Sequence, residues 1–377
     1  MIEDTQSSLK GYYLYYEDIF DGAVTGPDRK VAAQIKAFNN AGLDCDFLFC
    51  KQPKTVGTKI LSCLPYLSDG VDWPSPTSLS DCSFLYIRRS RFFSKDFIRF
   101  IKETKEAKPD IKIILEIPTF PYDDEMRAPL LFPAYLKDRK YRKQLRNNID
   151  IIACPSTETE IFGVEAIHVY NGIDLSSIVP KKPALNLLEV NIIATAYFMR
   201  WHGLDRLIEG MSNYYRGAGS SRSIILHVAG SGAEIQPLKR KVQSDGLENK
   251  VVFHGYCDSD KLDTLFDQCS FAVECLGIHR KGLTLSSSLK SREYLAKGIP
   301  FIYANDIDVL VDDPADFCLR IHADDTSVNI EALLSFHDKL YSSETQENLI
   351  NRIRLYAETH VGIDVTMKKI IEYIRFQ

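Results

Sequence analysis

The stretch Thr284-Leu-Ser-Ser-Ser-Leu-Lys-Ser-Arg-Glu-Tyr-Leu-Ala-Lys-Gly-Ile-Pro300, with the apolar run Phe301-Ile-Tyr-Ala304 behind it, reads as loop, helix and strand. A hydroxyl at Ser287 or Ser288 can accept a bond from an otherwise orphaned backbone N–H and so start a helix, while Gly298 and Pro300 stop it. The spacing predicts a helix from about Leu289 to Lys297, with Lys290, Glu293 and Lys297 on one face and Leu289 and Ala296 on a neighbouring one. A helix start that offers N–H groups, hydroxyls and a lysine in its first turn suits an anion, here a diphosphate.

Outward from that stretch, the chain is 377 residues long, 45% hydrophobic and 26% charged, which fits a soluble protein of two domains. A net charge of −5 gives no reason to expect nucleic acid as a partner. The nine cysteines form no CxxC pair and are odd in number, and Cys45, Cys50, Cys154, Cys269 and Cys275 lie within apolar runs. They read as small buried hydrophobes in a reducing compartment, not as a disulfide or zinc framework. No run approaches the ~20 apolar residues of a membrane span. The polar Met1–Lys10 segment is no secretory signal. A cytoplasmic protein is expected, with a peripheral seat on the inner face of a membrane left open.

In chain order, Gly11 to Phe20 reads as a strand, Asp21 to Pro27 as a turn-rich loop, Asp28 to Ala41 as a helix closed by Gly42, and Cys45 to Cys50 as a second strand, a βαβ opening. Residues 51–80, with Pro65, Pro74 and Pro76, read as an irregular connection. Phe84 to Arg88 is a strand, Phe92 to Lys105 a helix, and Ile111 to Ile117 a strand ending at Pro118-Thr-Phe-Pro-Tyr-Asp-Asp-Glu125. Ligands of doubly wound sheets collect at the carboxyl ends of strands, so Glu116, Thr119, Tyr122 and Asp123 are site candidates, with turn chemistry around two prolines as the alternative. Residues 135–146 hold six basic residues against one acid. That segment is either a solvated face or a basic helix resting on anionic lipid, and its small apolar counterface favours the former.

Ile149 to Ala153 and Ala166 to Tyr170 read as the last strands of the first domain, followed by the tight-turn signal Asn171-Gly-Ile-Asp174. Val190 to Ala194 starts a second series: a polar-aromatic loop from Tyr197, the helix Leu204–Tyr215, the strand Ile224–Ala229 ending in Gly230-Ser-Gly232, and the strand Val251–Phe253 ending in His254-Gly255-Tyr256. Lys261 to Cys269 is a helix and Ser270 to Leu276 a strand. The loop to Thr284 carries His279, Arg280 and Lys281. Three helices follow, over Asn329–Tyr341, Thr345–Tyr356 and Val365–Phe376.

Lys290-Ser-Arg-Glu-Tyr-Leu-Ala-Lys-Gly-Ile-Pro-Phe-Ile302 resembles the nucleotide-sugar motif of retaining GT-B glycosyltransferases, those of family 4 (glycosyl transferases group 1) in particular. The resemblance implies that Glu293 binds the donor ribose, while the family's second glutamate, eight residues earlier, is replaced by Leu285. Asn171-Gly-Ile-Asp174 matches the tetrapeptide that closes the family's first domain, and Gly22 and Gly26 loosely match its glycine loop on the acceptor and sugar-phosphate side. The family's sugar-contacting histidine has no counterpart, since no His lies between Met1 and Glu165. Its diphosphate-clamping Arg and Lys fall at Tyr197 and His202, ahead of Gly203. A partly protonated His202 and the nearby Arg200, with Arg206 as a salt-bridge residue, are then expected to supply the charge.

The implied fold is α/β of GT-B architecture, two doubly wound Rossmann-like domains facing across a cleft: an acceptor-side domain over 1–174, a linker over 175–189 and a nucleotide-sugar domain over 190–356. The C-terminal helix within 357–377 is expected to return to the first domain. The implied activity is retaining transfer of a hexose-type sugar from a nucleotide-diphosphate donor, uridine-linked, to an acceptor hydroxyl in polysaccharide or glycoconjugate biosynthesis, without metal or cofactor. Lys290, Arg200 and Glu116 are the expected catalytic residues. Glu293, Ser286, Ser287, Ser288, His202, Gly203, Gly230, Gly232, Gly255 and Tyr256 are expected on the donor side, and Gly22, Gly26, Thr119 and Asp123 on the acceptor side. Expected partners are the nucleotide sugar and a glycan or lipid-linked acceptor, with membrane contact through residues 135–146. Two rivals stand beside this: an inactive GT-B relative serving as partner or chaperone of a transferase, and a sugar-nucleotide epimerase. A Rossmann oxidoreductase fails for want of a GxGxxG after an early strand.

Overall fold

Apolar runs of four to nine residues, punctuated by glycine, proline and capping hydroxyls, give two sheets covered by helices. The computed structural model describes residues 9–16, 26–53, 55–89, 91–183, 188–217 and 222–376. The chain divides into two units, Met1–Gly172 with Ile363–Gln377, and Ile173–Gly362.

Strands β1 (Lys10–Tyr15), β2 (Asp44–Phe49), β3 (Phe84–Arg88), β4 (Lys112–Glu116), β5 (Ile151–Cys154), β6 (Glu160–Ile161) and β7 (Val164–His168) build the first unit's sheet. Their order is β2-β1-β3-β4-β5-β7-β6, parallel apart from the antiparallel β6–β7 pair. Every residue of β3 is buried, as in a parallel sheet covered on both faces. The helices between strands are α1 (Gly26–Asn40), α2 (Val56–Ser62), α3 (Lys95–Ala107), α4 (Asp123–Met126) and α5 (Phe132–Tyr141).

Three local features depart from the sequence expectation. Helix α3 starts at Lys95, later than Phe92, because Ser94 caps it and accepts a bond from the Phe97 N–H at 3.0 Å. The supposedly irregular 51–80 segment contains α2, capped by Thr55, whose hydroxyl accepts from the Thr58 N–H at 3.2 Å. The β6–β7 hairpin turns on Phe162 and Gly163, at φ of 54° and 81°, the left-handed pair a two-residue hairpin loop demands. The end of the expected first strand and the loop with Gly22 lie outside the described residues.

In the second unit β8 (Glu189–Tyr197), β9 (Ser223–Ser231), β10 (Val251–Gly255), β11 (Phe271–Val273), β13 (Phe301–Tyr303) and β15 (Cys318–Arg320) form a parallel sheet of order β10-β9-β8-β11-β13-β15. Beside it β12 (Leu285–Ser286) pairs with β14 (Asp306–Ile307). The helices are α6 (Leu204–Arg216), α7 (Ile235–Ser244), α8 (Ser259–Gln268), α9 (Leu289–Lys297), α10 (Asp308–Asp312), α11 (Ile330–Ser343) and α12 (Gln346–His360). Residues 175–182, expected as linker, are fastened to this unit: the Lys181 N–H donates to the Lys297 carbonyl, and Arg354 donates to the carbonyls of Leu175, Ile178 and Ala296.

The last helix, α13 (Ile363–Phe376), belongs to the first unit, and the division falls at Gly362 because α12 runs on to His360. It buries Met367, Ile370 and Ile374, and the Lys112 ammonium holds its final carbonyls, Tyr373 at 3.1 Å and Ile374 at 2.7 Å. Each unit has its own apolar core. No helix among the described residues is long and apolar enough to cross a membrane.

Candidate active site

The first strand of the second unit, β8, lies between β9 and β11, so the winding direction reverses there and a crevice opens at the carboxyl ends of β8 and β11. The loops leaving those two strands meet backbone to backbone. Gly203 has a φ of 66°, and a Cβ there would sit 2.6 Å from the Gly277 nitrogen, so both the conformation and the space require glycine. The Leu276 N–H donates to the His202 carbonyl at 2.9 Å. Arg206 buttresses the pair from beneath, donating to the carbonyls of Leu276, Thr326 and His322, and is thereby fully occupied inside the fold.

Helix α9 opens at the same crevice. Ser288 is its N-cap, accepting from the Ser291 N–H at 3.3 Å, and Gly298 closes it in the left-handed conformation at φ 72°, as the sequence predicts. The Ser288 hydroxyl donates to Glu274, a 2% exposed carboxylate one residue beyond β11 that also accepts the Cys275 N–H. The Lys290 ammonium lies 4.0 Å from Glu274 and donates to the Cys275 sulfur at 3.2 Å.

Charge is apportioned clearly in this cluster. Burial opposes the ammonium of Lys290, but Cys275 and Glu274 outweigh it and hold the group well above the ordinary lysine value. Burial likewise pushes Glu274 up, and Lys290, the Ser288 hydroxyl and the Cys275 N–H bring it below the usual carboxylate range. The Cys275 thiol is pushed up to about 11, by burial and the Glu274 charge, and stays protonated. Lys290 is therefore a fixed cation with three donors, and its one hydrogen bond among the described residues goes to a weak sulfur acceptor. Burial and the Lys290 charge lower His202 to about 4, so it is neutral at pH 7, correcting the expected partial protonation. Its Nδ1 lies 2.9 Å from the Met199 nitrogen and 3.1 Å from the Met199 carbonyl oxygen; in the tautomer that accepts from the N–H, Nε2 carries the proton as a neutral donor.

Glu274 is the residue that sequence reasoning missed. The available signal was an acid directly behind the apolar Phe271–Val273, which drew no notice because the strand was extended through Leu276.

The other expected residues scatter. Glu293 is half-buried on α9, one turn beyond Lys290. Ser286 is buried in β12, and Ser287 accepts from Arg292, whose guanidinium pairs with Asp308 at 2.5 Å inside the fold. Gly230 and Gly232 are close-approach positions, where a Cβ would meet the carbonyl oxygens of Ala196 at 1.9 Å and Phe198 at 2.3 Å. Gly255 adopts φ 67° and Tyr256 is exposed. Arg200 is exposed, and with Trp201, Arg280 and Lys281 it lines a cavity of about 410 Å³. Arg280 is anchored there by both oxygens of Asp205, at 2.9 and 2.8 Å.

In the first unit, Gly26 is the exposed first residue of α1 and Thr119 is exposed. Asp123 pairs with Arg142 at 2.5 Å, which keeps it below the usual carboxylate range, and Tyr122 is buried with its hydroxyl on Asp138. Glu116 departs from the expectation of a catalytic carboxylate. It is buried between Lys30 at 2.6 Å and Arg88 at 2.5 Å, and accepts the hydroxyls of Tyr13 and Tyr86. Burial raises it, but the two cations overcome that and hold it at about 2, so it is a permanent structural anion with no capacity to exchange a proton near neutrality. Among the described residues no group of three or more His, Cys, Asp or Glu is placed to hold a metal ion.

Solved structures similar over nearly the whole chain define the fold as GT-B. Sucrose-phosphate synthase from Thermosynechococcus elongatus superposes with a TM-score of 0.63 at 13% identity, covering 97% of this chain and 99% of that one. A glycosyltransferase from Rickettsia africae gives 0.58 at 11%, covering 98% and 100%. Anabaena HepE in complex with UDP gives 0.60 at 10%, covering 97% and 99%. Residues 180–307 match the family model described as "Glycosyl transferases group 1", so the second unit carries a glycosyl transferases group 1 domain. Comparison with curated protein sequences returned no match.

Proposed function

We propose that this protein is a retaining glycosyltransferase that moves a hexose-type sugar from a uridine diphosphate donor to an acceptor hydroxyl, in assembly of a polysaccharide or other glycoconjugate. The observation that carries the proposal is the Lys290–Ser288–α9 corner at the switch point, inside a group 1 domain. Breaking the bond between the anomeric carbon and the diphosphate oxygen leaves negative charge on the departing phosphate. A cation, the N–H groups of the first turn of α9 and the neutral His202 Nε2–H, all fixed beforehand, are suited to receive that charge without a metal. The acceptor oxygen bonds to the anomeric carbon on the face the phosphate leaves, and its proton passes to the departing phosphate. Support for the donor class comes from HepE, whose structures hold UDP, UDP with glucose, and UDP-glucose.

Leu285, in place of the family's second glutamate, favours a second reading, a relative that binds nucleotide without turning it over. Titration calorimetry of the protein with UDP, GDP and ADP, beside Glu293→Ala, tests the donor site. Binding of one nucleotide, lost in the variant, is expected; binding of none overturns the donor-site assignment. Hydrolysis or transfer of a labelled UDP-hexose then separates an enzyme from a silent binder.

A further inference from the structure

The loops that leave β8 and β11 enclose a space of their own. Arg200 and Trp201 of the first loop, with Arg280 and Lys281 of the second, line a cavity of about 410 Å³, which falls within the size range of small-ligand pockets. Three of these four side chains are cations and none is an acid. The walls are preformed. Arg280 donates to the Arg200 carbonyl at 2.8 Å, tying one loop to the other, and its guanidinium is held by both oxygens of Asp205 and, through Nε at 2.7 Å, by Asp325. Its charge is thus largely neutralised within the wall.

The remaining three side chains differ in kind. The Arg200 guanidinium is exposed and makes no ion pair or hydrogen bond among the described residues, where only its backbone carbonyl is engaged. The Lys281 ammonium lies 4.9 Å from the centre of the Trp201 ring. An arginine fork suits the paired oxygens of a phosphate or carboxylate, and an indole offers an apolar surface to the C–H side of a sugar ring. The combination fits a ligand that has both.

That ligand is distinct from the donor diphosphate. Lys290, the first turn of α9 and His202 are the groups suited to the diphosphate, and none of them lines the cavity. The cavity is nevertheless next door: the His202 and Trp201 rings stack with centroids 6.0 Å apart, and besides burial the charges of Lys290 and Lys281 both lower His202. A uridine diphosphate hexose carries its charge on the diphosphate alone, so a second anion at this place belongs to the acceptor.

We propose that the Arg200–Trp201–Lys281 cavity receives an acidic sugar of the acceptor, one bearing a phosphate or a carboxylate, with Arg200 and Lys281 on the anion and Trp201 against the ring. The assignment names an acceptor class for the transferase reading and rests on it.

Calorimetric titration of the full chain, free and saturated with UDP, with glucose 6-phosphate, glucuronate and glucose tests this, since the three sugars differ only at C6. Binding of the phosphate or the carboxylate sugar in both states, which identifies the anion, without binding of glucose is expected. A charge-assisted contact contributes about tenfold, so Arg200→Gln with Lys281→Gln weakens the acidic sugar about 100-fold, and Arg200→Lys keeps part of what Arg200→Gln loses. Trp201→Ala weakens the sugar more than it weakens inorganic phosphate. Glucose binding as tightly as the acidic sugars overturns the proposal, as does binding of none of the three. An acidic sugar displaced by UDP, or a UDP affinity that falls in step with it in Arg200→Gln, assigns the cavity to the donor diphosphate and overturns it as well. Failure of UDP to bind counts against the transferase reading alone, because the titrations of the free chain report on the cavity without it.

Discussion

Glu274 is buried and Lys290 half-buried, each in the other's field, and that mutual dependence shapes what their removal does. Lys290→Ala strands a buried carboxylate, so the variant loses stability as well as the cation. Adding Glu274→Gln removes the stranded charge and is expected to restore most of the melting temperature while leaving transfer 10²–10³-fold down, about the cost of losing one preformed anion donor. Transfer that recovers along with stability would make Lys290 a structural residue. Glu116 belongs to a different kind of pair. Its folded value of about 2 lies below the ordinary 4.5, so its stabilising share is fully present above pH 4.5 and is lost as pH falls toward 2. Glu116→Gln takes from Arg88 and Lys30 the buried anion they share and should cost about 3–5 kcal/mol near neutral pH. The gap from wild type should narrow in acid; a constant gap in urea unfolding down to low pH would contradict the assignment. Position at the end of a strand made Glu116 look like a site residue. It cannot distinguish a ligand-facing acid from an ion pair, because the deciding partners lie 86 and 28 residues away in sequence.

Elements were legible where a local signal was enough. Helix α9 was readable end to end because a serine cap and a glycine stop are local chemistry, and Ser288→Ala is expected to cost about 1–2 kcal/mol for the cap. The same substitution takes a hydrogen bond from Glu274, so nucleotide affinity measured by calorimetry should fall too. An unchanged affinity would separate the cap from the site. Helix α2 escaped notice for the opposite reason. Sequence periodicity reports a helix by its buried stripe, and α2 buries only Ser62. A helix that shows apolar residues outward, as α2 does at Val56, Ile60 and Leu61, gives no buried stripe to read. Strand β11 ends three residues short of the sequence expectation, because Cys275 and Leu276 are apolar although their backbone has already left the strand.

At the scale of the molecule, the sequence supports two doubly wound units through alternating strands and helices, while their boundary at Gly172 and Gly362 depends on contacts between residues far apart in the chain. Two separate cores imply two separable unfolding events, since each unit buries its own apolar surface. Among the described residues, the groups proposed for the donor diphosphate, Lys290, Ser288 and His202, lie in the second unit. A nucleotide at about 100 times its Kd stabilises the unit that holds it by about 2.7 kcal/mol, a rise of roughly 5–11 °C for a unit of this size. Glu116 marks the other: replacing it with Gln inside the first unit removes the anion that Lys30 and Arg88 share. Scanning calorimetry should therefore show two transitions, one raised by UDP and the other lowered by Glu116→Gln. If UDP moves the transition that Glu116→Gln lowers, the nucleotide belongs to the first unit and the donor site is misplaced. If one transition responds to both changes, the two cores unfold as a single cooperative body.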